Sequence, residues 1–228
     1  MVTVWRIPLD PSTPPAAEAL AALSDAERTR AALFATDALR NRWLTAHVAM
    51  RRILARELGV RPAVLVYGAG AAGKPFIASP AGSGVEYSFS DSGDLALLAV
   101  GRGAALGVDV EACRSISDLE GVAERFFAPE ERVALFALPE AERRAGFYRL
   151  WTRKEAYIKA IGTGLGHALD RFVVTIEVGD VRFVSLDGDA EAAERWDLRP
   201  VAVPSGYEAA VTTHGPINAL IVRDLPTL

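Results

Sequence analysis

Cysteine is nearly missing from this sequence. Cys113 is the one thiol in 228 residues, so no internal disulfide can form, which fits a reducing cytoplasmic setting. Histidine is almost as scarce. His47, His167 and His214 share no metal-ligand spacing and no Cys/His cluster exists, so a zinc site is not expected. No apolar run approaches the ~20 residues of a membrane span. The start, Met1-Val-Thr-Val-Trp-Arg-Ile-Pro8, lacks the long apolar region of a signal peptide. A basic surplus is absent as well. The net charge of −4 argues against a general nucleic-acid binder. These absences leave a soluble cytoplasmic protein with no membrane or nucleic-acid partner.

What is present suits that class. Half the residues are hydrophobic and 24% are charged, and the length suffices for a real core. Charge is unevenly spread. Through Ala105 there are 11 basic and 9 acidic residues, and from Leu106 onward 14 basic and 20 acidic. Either this is ordinary surface variation, or an anion-handling half precedes a metal-binding one.

Periodicity predicts strands at Val2–Ile7, Val64–Tyr67, Val85–Phe89, Leu95–Val100 and Ala105–Val110. It predicts long helices over Asp37–Leu58 and Glu140–Ile161, the first closed by Gly59 and the second by Gly162 and Gly164. Residues 68–84, glycine-rich with two prolines, read as a loop. After the second long helix the chain is β-rich. Strands, long helix, strands, then helices, long helix, strands: the order predicts an α+β protein of two similar halves. Trp43, His47 and Arg51 step by four residues along the first long helix, and Trp151, Glu155 and Lys159 repeat those steps on the second.

Gly68-Ala-Gly-Ala-Ala-Gly-Lys-Pro75 matches a dinucleotide fingerprint and nearly a P-loop. Both need a helix to begin there, whose amides hold phosphate. Pro75-Phe-Ile-Ala-Ser-Pro80 gives no helix, and Pro75 stands where a P-loop needs Ser or Thr. The nucleotide-fold readings are therefore rejected, although Lys74 remains free to meet a phosphate. Cys113 reads as a small packing residue.

Two segments carry chemistry. In Gly107-Val-Asp-Val-Glu111 an extended chain puts Asp109 and Glu111 on one face and Leu106, Val108 and Val110 on the other. Side-by-side carboxylates are unfavourable unless a cation neutralises them. Alone, the pattern is more often a solvated strand edge than a metal site. In Leu150-Trp-Thr-Arg-Lys-Glu-Ala-Tyr-Ile-Lys-Ala160, Glu155 and Lys159 lie one helical turn apart, and Lys154 sits beside them. Alone, that is an ordinary i,i+4 ion pair.

Together the segments resemble the signature of the Sfp-type 4′-phosphopantetheinyl transferases, a G-h-D-h-E strand (h apolar) followed by a W-x-x-K-E-x-h-x-K helix. Phe126-Phe127-Ala-Pro-Glu-Glu131, Gly162-Thr-Gly-Leu165, Gly73-Lys-Pro-Phe76 and Ser88-Phe-Ser-Asp-Ser92 resemble further family elements. The resemblance implies an α+β fold of two pseudo-symmetric halves, each a long helix packed on a small, mostly antiparallel sheet. It places residues 1–105 in an N-terminal half for nucleotide and phosphate contacts and 106–228 in a C-terminal half for metal and catalysis, with ligand between them. It implies a monomeric enzyme that moves the phosphopantetheine arm of coenzyme A onto a serine of an acyl, polyketide or peptidyl carrier protein, releasing 3′,5′-ADP. Magnesium, with manganese as the alternative, would be held by Asp109, Glu111 and Glu155. Glu155 would be the base, Lys159 would stabilise the leaving phosphate, and Lys154 would add positive charge. Lys74, Ser90, Arg51, Arg42 and Arg30 would contact coenzyme A, each arginine being equally readable as a solvated helix charge. Asp91 stands where the family has a histidine for the 3′-phosphate, which implies weaker coenzyme A binding, another donor, or a shift to dephospho-coenzyme A. It also supports an alternative, a degenerate relative that binds carrier protein or coenzyme A without efficient transfer. A carrier-docking surface is expected at 112–128.

Overall fold

The computed structural model describes residues 1–70, 73–164 and 167–225. Strand β1 (Val2–Pro8) leads through the short helix α1 (Asp25–Ala31) into the long helix α2 (Asp37–Leu58). Strands β2 (Val66–Ala69), β3 (Pro75–Ser79), β4 (Val85–Ser92) and β5 (Leu95–Arg102) follow. The second series begins with β6 (Leu106–Ala112), then α3 (Leu119–Phe126), α4 (Pro129–Ala137) and the long helix α5 (Glu140–Ile161). It ends with β7 (Phe172–Val174), β8 (Phe183–Leu186), α6 (Ala190–Glu194), β9 (Trp196–Pro200), β10 (Tyr207–His214) and β11 (Leu220–Asp224). No described helix is long and apolar enough to cross a membrane.

The two long helices have the bounds their sequence predicts. Each ends on a glycine in the left-handed region, Gly59 at φ 67° and Gly162 at φ 71°, a conformation that costs a residue with a Cβ. The glycine-rich segment differs from expectation. Where a loop is predicted, β3 pairs antiparallel with β2 as a hairpin. No helix follows β2, which agrees with rejecting the nucleotide-fold readings. Ala71 and Ala72 of that segment, and Leu165 after α5, lie outside the described residues.

The halves are built alike. One sheet has the order β11-β1-β5-β4 and the other β6-β10-β9. Strand β5 runs antiparallel to its neighbours β1 and β4, as β10 does to β6 and β9. Val2–Pro8 of β1 answers Leu106–Ala112 of β6, and Asp37–Leu58 answers Glu140–Ile161. This register pairs Arg51 with Lys154. The sequence echo of Arg51 with Lys159 is therefore corrected. One strand breaks the division: β11, from the far end of the chain, runs parallel to β1 in the first sheet.

Arg51 and Lys154 do the same job in their halves. Glu27, at the third position of α1, accepts from the Ser24 backbone N–H at 2.8 Å and from Arg51 Nε at 2.7 Å. Glu131, at the third position of α4, accepts from the Ala128 N–H at 2.9 Å, the Val174 N–H at 2.8 Å and Lys154 Nζ at 2.8 Å. A capping carboxylate at a helix start thus fixes a cation on the following long helix. Lys154 is fully buried, and its remaining donors meet the carbonyls of Leu169 and Phe172. Such a pair holds three elements in register, and removing one partner leaves the other charged and buried.

The close fit of α5 on β6 depends on one residue. A Cβ built on Gly107 would lie 1.9 Å from the Ala156 carbonyl oxygen and 2.6 Å from the Ala160 nitrogen. Only glycine lets the helix backbone come this near. Gly107→Ala must push α5 off β6, and urea unfolding is expected to show a loss of about 3 kcal/mol. Glu131→Ala is expected to cost ~3–5 kcal/mol by the same measurement. For Glu27, burial raises the carboxyl, but His47 beside it and donation by Arg51 and Ser24 outweigh that and hold it at about 2. Its stabilising contribution is complete above the ordinary glutamate range near 4.5. That contribution is lost as pH falls towards 2, and Glu27→Gln is expected to remove this part of the acid-unfolding curve.

Candidate active site

Asp109 and Glu111 project from β6 on the face that meets α5, while Val108 and Val110 on the opposite face are fully buried in the core. The alternation predicted from sequence is present. The setting is not a solvated strand edge, because Asp109 is only 2% exposed.

The outer edge of β6 meets β4 without forming a ladder of backbone bonds. Serine side chains take its place. Ser88, Ser90 and Ser92 alternate along β4 and point the same way, as period 2 requires. The Val108 N–H donates to Ser88 Oγ at 3.0 Å, and the Ala112 N–H to Ser92 Oγ at 3.1 Å. Ser90 Oγ donates to Asp109 Oδ1 at 2.7 Å, and Ser92 Oγ to Glu111 Oε2 at 2.6 Å. From α5, Lys159 Nζ reaches both Asp109 Oδ1 at 2.6 Å and Ser90 Oγ at 2.7 Å.

Glu155 lies one turn before Lys159. Its carboxyl is pushed up by burial and then by the charge of Asp109, with Glu111 adding to the effect and Lys159 opposing it. Burial also raises Asp109 against the pull of Lys159, and raises Glu111, which Asp109 raises further. Glu155 therefore feels both other acids, and Glu111 feels Asp109. Asp109 Oδ2 and Glu155 Oε1 are buried with no hydrogen-bond partner. Among the described residues no three His, Cys, Asp or Glu side chains stand ready as a metal shell, and Lys159 is what pairs with Asp109 here.

Two clefts flank this row. One, of about 290 Å³, is lined by Lys74, Ser88, Phe89, Glu155, Lys159 and Gly162. Lys74 Nζ crosses from the first half to donate to the carbonyls of Ala160 at 2.8 Å and Leu106 at 3.2 Å. Burial lowers the pKa of this ammonium. The other cleft, of about 320 Å³, is lined by Ser92, Glu111, Arg114, Tyr148 and Trp151 among others. It lies beside the segment 112–128.

The structure thus gathers Lys74, Ser90, Asp109, Glu111, Glu155 and Lys159. It does not bring Lys154 to them. That side chain leaves α5 on another face and is spent on Glu131, which corrects its expected catalytic place. Arg51 is likewise buried against Glu27 and the carbonyls of Pro62 and Leu65. Arg42 pairs with Asp94 at 2.5 Å, and Arg30 is exposed on the last turn of α1. Asp91 is exposed and points away from the serines of β4. None of these four lines the Lys74 cleft. Sequence reasoning missed Ser88 and Ser92 as site residues, although the alternation of three serines was a usable signal.

Comparisons with known proteins point to one family. The family profile described as the 4′-phosphopantetheinyl transferase superfamily matches residues 105–212. The chain is 39% identical over 215 residues to the 4′-phosphopantetheinyl transferase HetI of Nostoc sp., covering 94% of this chain and 88% of the relative. It is 30% identical over 177 residues to the 4′-phosphopantetheinyl transferase Sfp of Bacillus subtilis, covering 77% of this chain and 75% of that one. A crystal structure of Thermotoga maritima holo-[acyl-carrier-protein] synthase superposes with a TM-score of 0.40 at 20% identity, over 50% of this chain and 64% of the other. With the paired strand and helix motifs meeting at one cleft and a relative matched over nearly its whole length, the chain belongs to the 4′-phosphopantetheinyl transferase superfamily.

Proposed function

We propose that this chain transfers the 4′-phosphopantetheine arm of coenzyme A to the serine hydroxyl of a carrier protein, with the Asp109–Glu111–Glu155–Lys159 cluster as the reacting centre. One observation carries the assignment of residues: Asp109 on β6 and Glu155 on α5 each keep a buried oxygen with no partner. Burying anionic oxygens unpaired is costly. The donor set is all oxygen, which suits a hard cation such as magnesium and not zinc. Asp109, Glu111 and Glu155 are therefore the residues to hold it. When bound, magnesium supplies charge neutralisation to the pyrophosphate.

The chain's own groups do the rest. The Lys74 cleft receives the phosphates, with the ammonium groups of Lys74 and Lys159 on its wall. The second cleft, opening at Glu111, offers the acceptor serine an approach from the other side. Glu155, with its raised pKa, takes the proton of the serine hydroxyl. The serine oxygen bonds to the β-phosphorus as the bond to the α-phosphate oxygen breaks, and 3′,5′-ADP departs with Lys159 beside the new charge. Positioning and charge neutralisation suffice for such chemistry. No observation favours the degenerate alternative.

The test is a mass measurement. Apo-carrier protein, coenzyme A and magnesium are incubated with the enzyme, and the carrier is expected to gain the mass of the arm. Asp109→Asn and Glu155→Gln are each expected to lower turnover at least ~10- to 100-fold with the fold intact by circular dichroism. Undiminished transfer by both variants would overturn the assignment.

A further inference from the structure

We propose that Lys159 is an internal counter-ion that holds Asp109 in the unloaded protein and moves to the phosphate ligand when a divalent cation claims that carboxylate, making cation and ligand bind cooperatively. The inference rests on reading Asp109, Glu111 and Glu155 as metal ligands.

The argument starts from the arrangement of donors. The Lys159 ammonium spends two of its donors at one point, Asp109 Oδ1 and Ser90 Oγ. Its side chain is 30% exposed while that of Asp109 is 3% exposed. Lys159 therefore reaches inward from the wall of the Lys74 cleft to a carboxylate that is otherwise sealed off. Beside this one ammonium, Asp109 Oδ2 and Glu155 Oε1 are buried with no hydrogen-bond partner, so the unloaded site stays electrostatically unsatisfied. A divalent ion offers twice the charge at the same carboxylate and outcompetes the ammonium.

Lysine is suited to being displaced. Its ammonium is a compact charge on a flexible four-carbon stem, without the planar fork that locks arginine to a carboxylate. Lys154, five residues earlier, shows the opposite design. It is fully buried and committed to Glu131 and two carbonyls. Lys159 alone of the two borders open volume. Once freed, it faces the cleft that receives phosphate. Because cation binding releases Lys159 and the phosphate ligand captures it, each ligand favours the other by the same factor.

The probe is manganese, followed by calorimetry and by electron paramagnetic resonance, with and without coenzyme A. Wild-type protein is expected to bind Mn²⁺ about 5- to 150-fold more tightly once coenzyme A is present. Lys159→Met is expected to bind Mn²⁺ alone about tenfold more tightly than wild type and to lose most of the coenzyme A effect. Unchanged coupling in Lys159→Met would overturn the proposal, since removing a nearby charge alone alters affinity without altering coupling. A second measurement needs no substitution. The lysine ammonium resonance of wild-type Lys159, held by Asp109 and Ser90, is expected to shift when Mg²⁺ is added without coenzyme A. A resonance that stays in place while Mg²⁺ binds would also overturn it. Asp109→Asn separates the two readings. If this variant binds Mn²⁺ as wild type does, the metal-ligand reading fails. If it loses the ion while Lys159→Met keeps normal affinity and coupling, only the counter-ion role fails.

Discussion

The joint between β4 and β6 is made of serine hydroxyls, and the proposed active site depends on that choice. A terminal strand presents unpaired N–H groups along its outer edge. In the first half, β11 covers the outer edge of β1 with an ordinary parallel ladder. In the second half β4 stands in the corresponding place, and Ser88 and Ser92 accept the edge N–H groups of Val108 and Ala112. A backbone carbonyl in their place would accept and do nothing else. A hydroxyl accepts and also donates. Ser92 thus accepts from the Ala112 N–H and donates its own hydrogen bond to Glu111, while Ser90 accepts from Lys159 and donates to Asp109. The groups that close the interface are the ones that orient the acids.

Gathering three acids opposes folding, since each is raised by burial before any neighbour is counted. Something must hold the elements together against that repulsion. Gly107 permits backbone contact between β6 and α5, and the aliphatic face of β6 is sunk in a core shared with β1 and β5. On the far side of α5, the Lys154–Glu131 pair ties the helix to α4 and β7. The helix is pinned from behind, so its front can carry Glu155 and Lys159 towards anions.

How much of this was legible follows from what each pattern encodes. A strand has period 2, so the shared face of Asp109 and Glu111 could be read directly, and so could the four-residue step from Glu155 to Lys159. The same period was available in Ser88, Ser90 and Ser92, but a serine row signals nothing until the strand it faces is known. Lys154 was misplaced for another reason. It lies about 100° around the helix from Glu155, and telling the core face from the site face requires an apolar stripe. Here the buried set includes Arg153, Lys154 and Thr152, so polarity does not mark the inside. The echo aligned Arg51 with Lys159 because matching tryptophans fixed a register that the helix ends do not support. Strand β3 was hidden by the glycines and prolines around it, which usually mark a loop.

The likeness of the two halves bears on why the proposed site occurs once. In the register set by β1 and β6, Trp5 and Ile7 occupy the places of Asp109 and Glu111. Both are buried in the first core, so that half fills with aromatic and aliphatic bulk the space the other uses for anions. Relieved of the acids, the first half contributes the hydroxyls they need, from the serines of β4, and Lys74, whose ammonium donates to the Ala160 carbonyl on α5. The uneven charge along the chain, nearly balanced before Leu106 and acidic after it, agrees with that division. The proposed reaction centre at the seam of two similar halves requires them to differ there, since acids on both sides would repel and hydroxyls on both sides would offer a cation no charge.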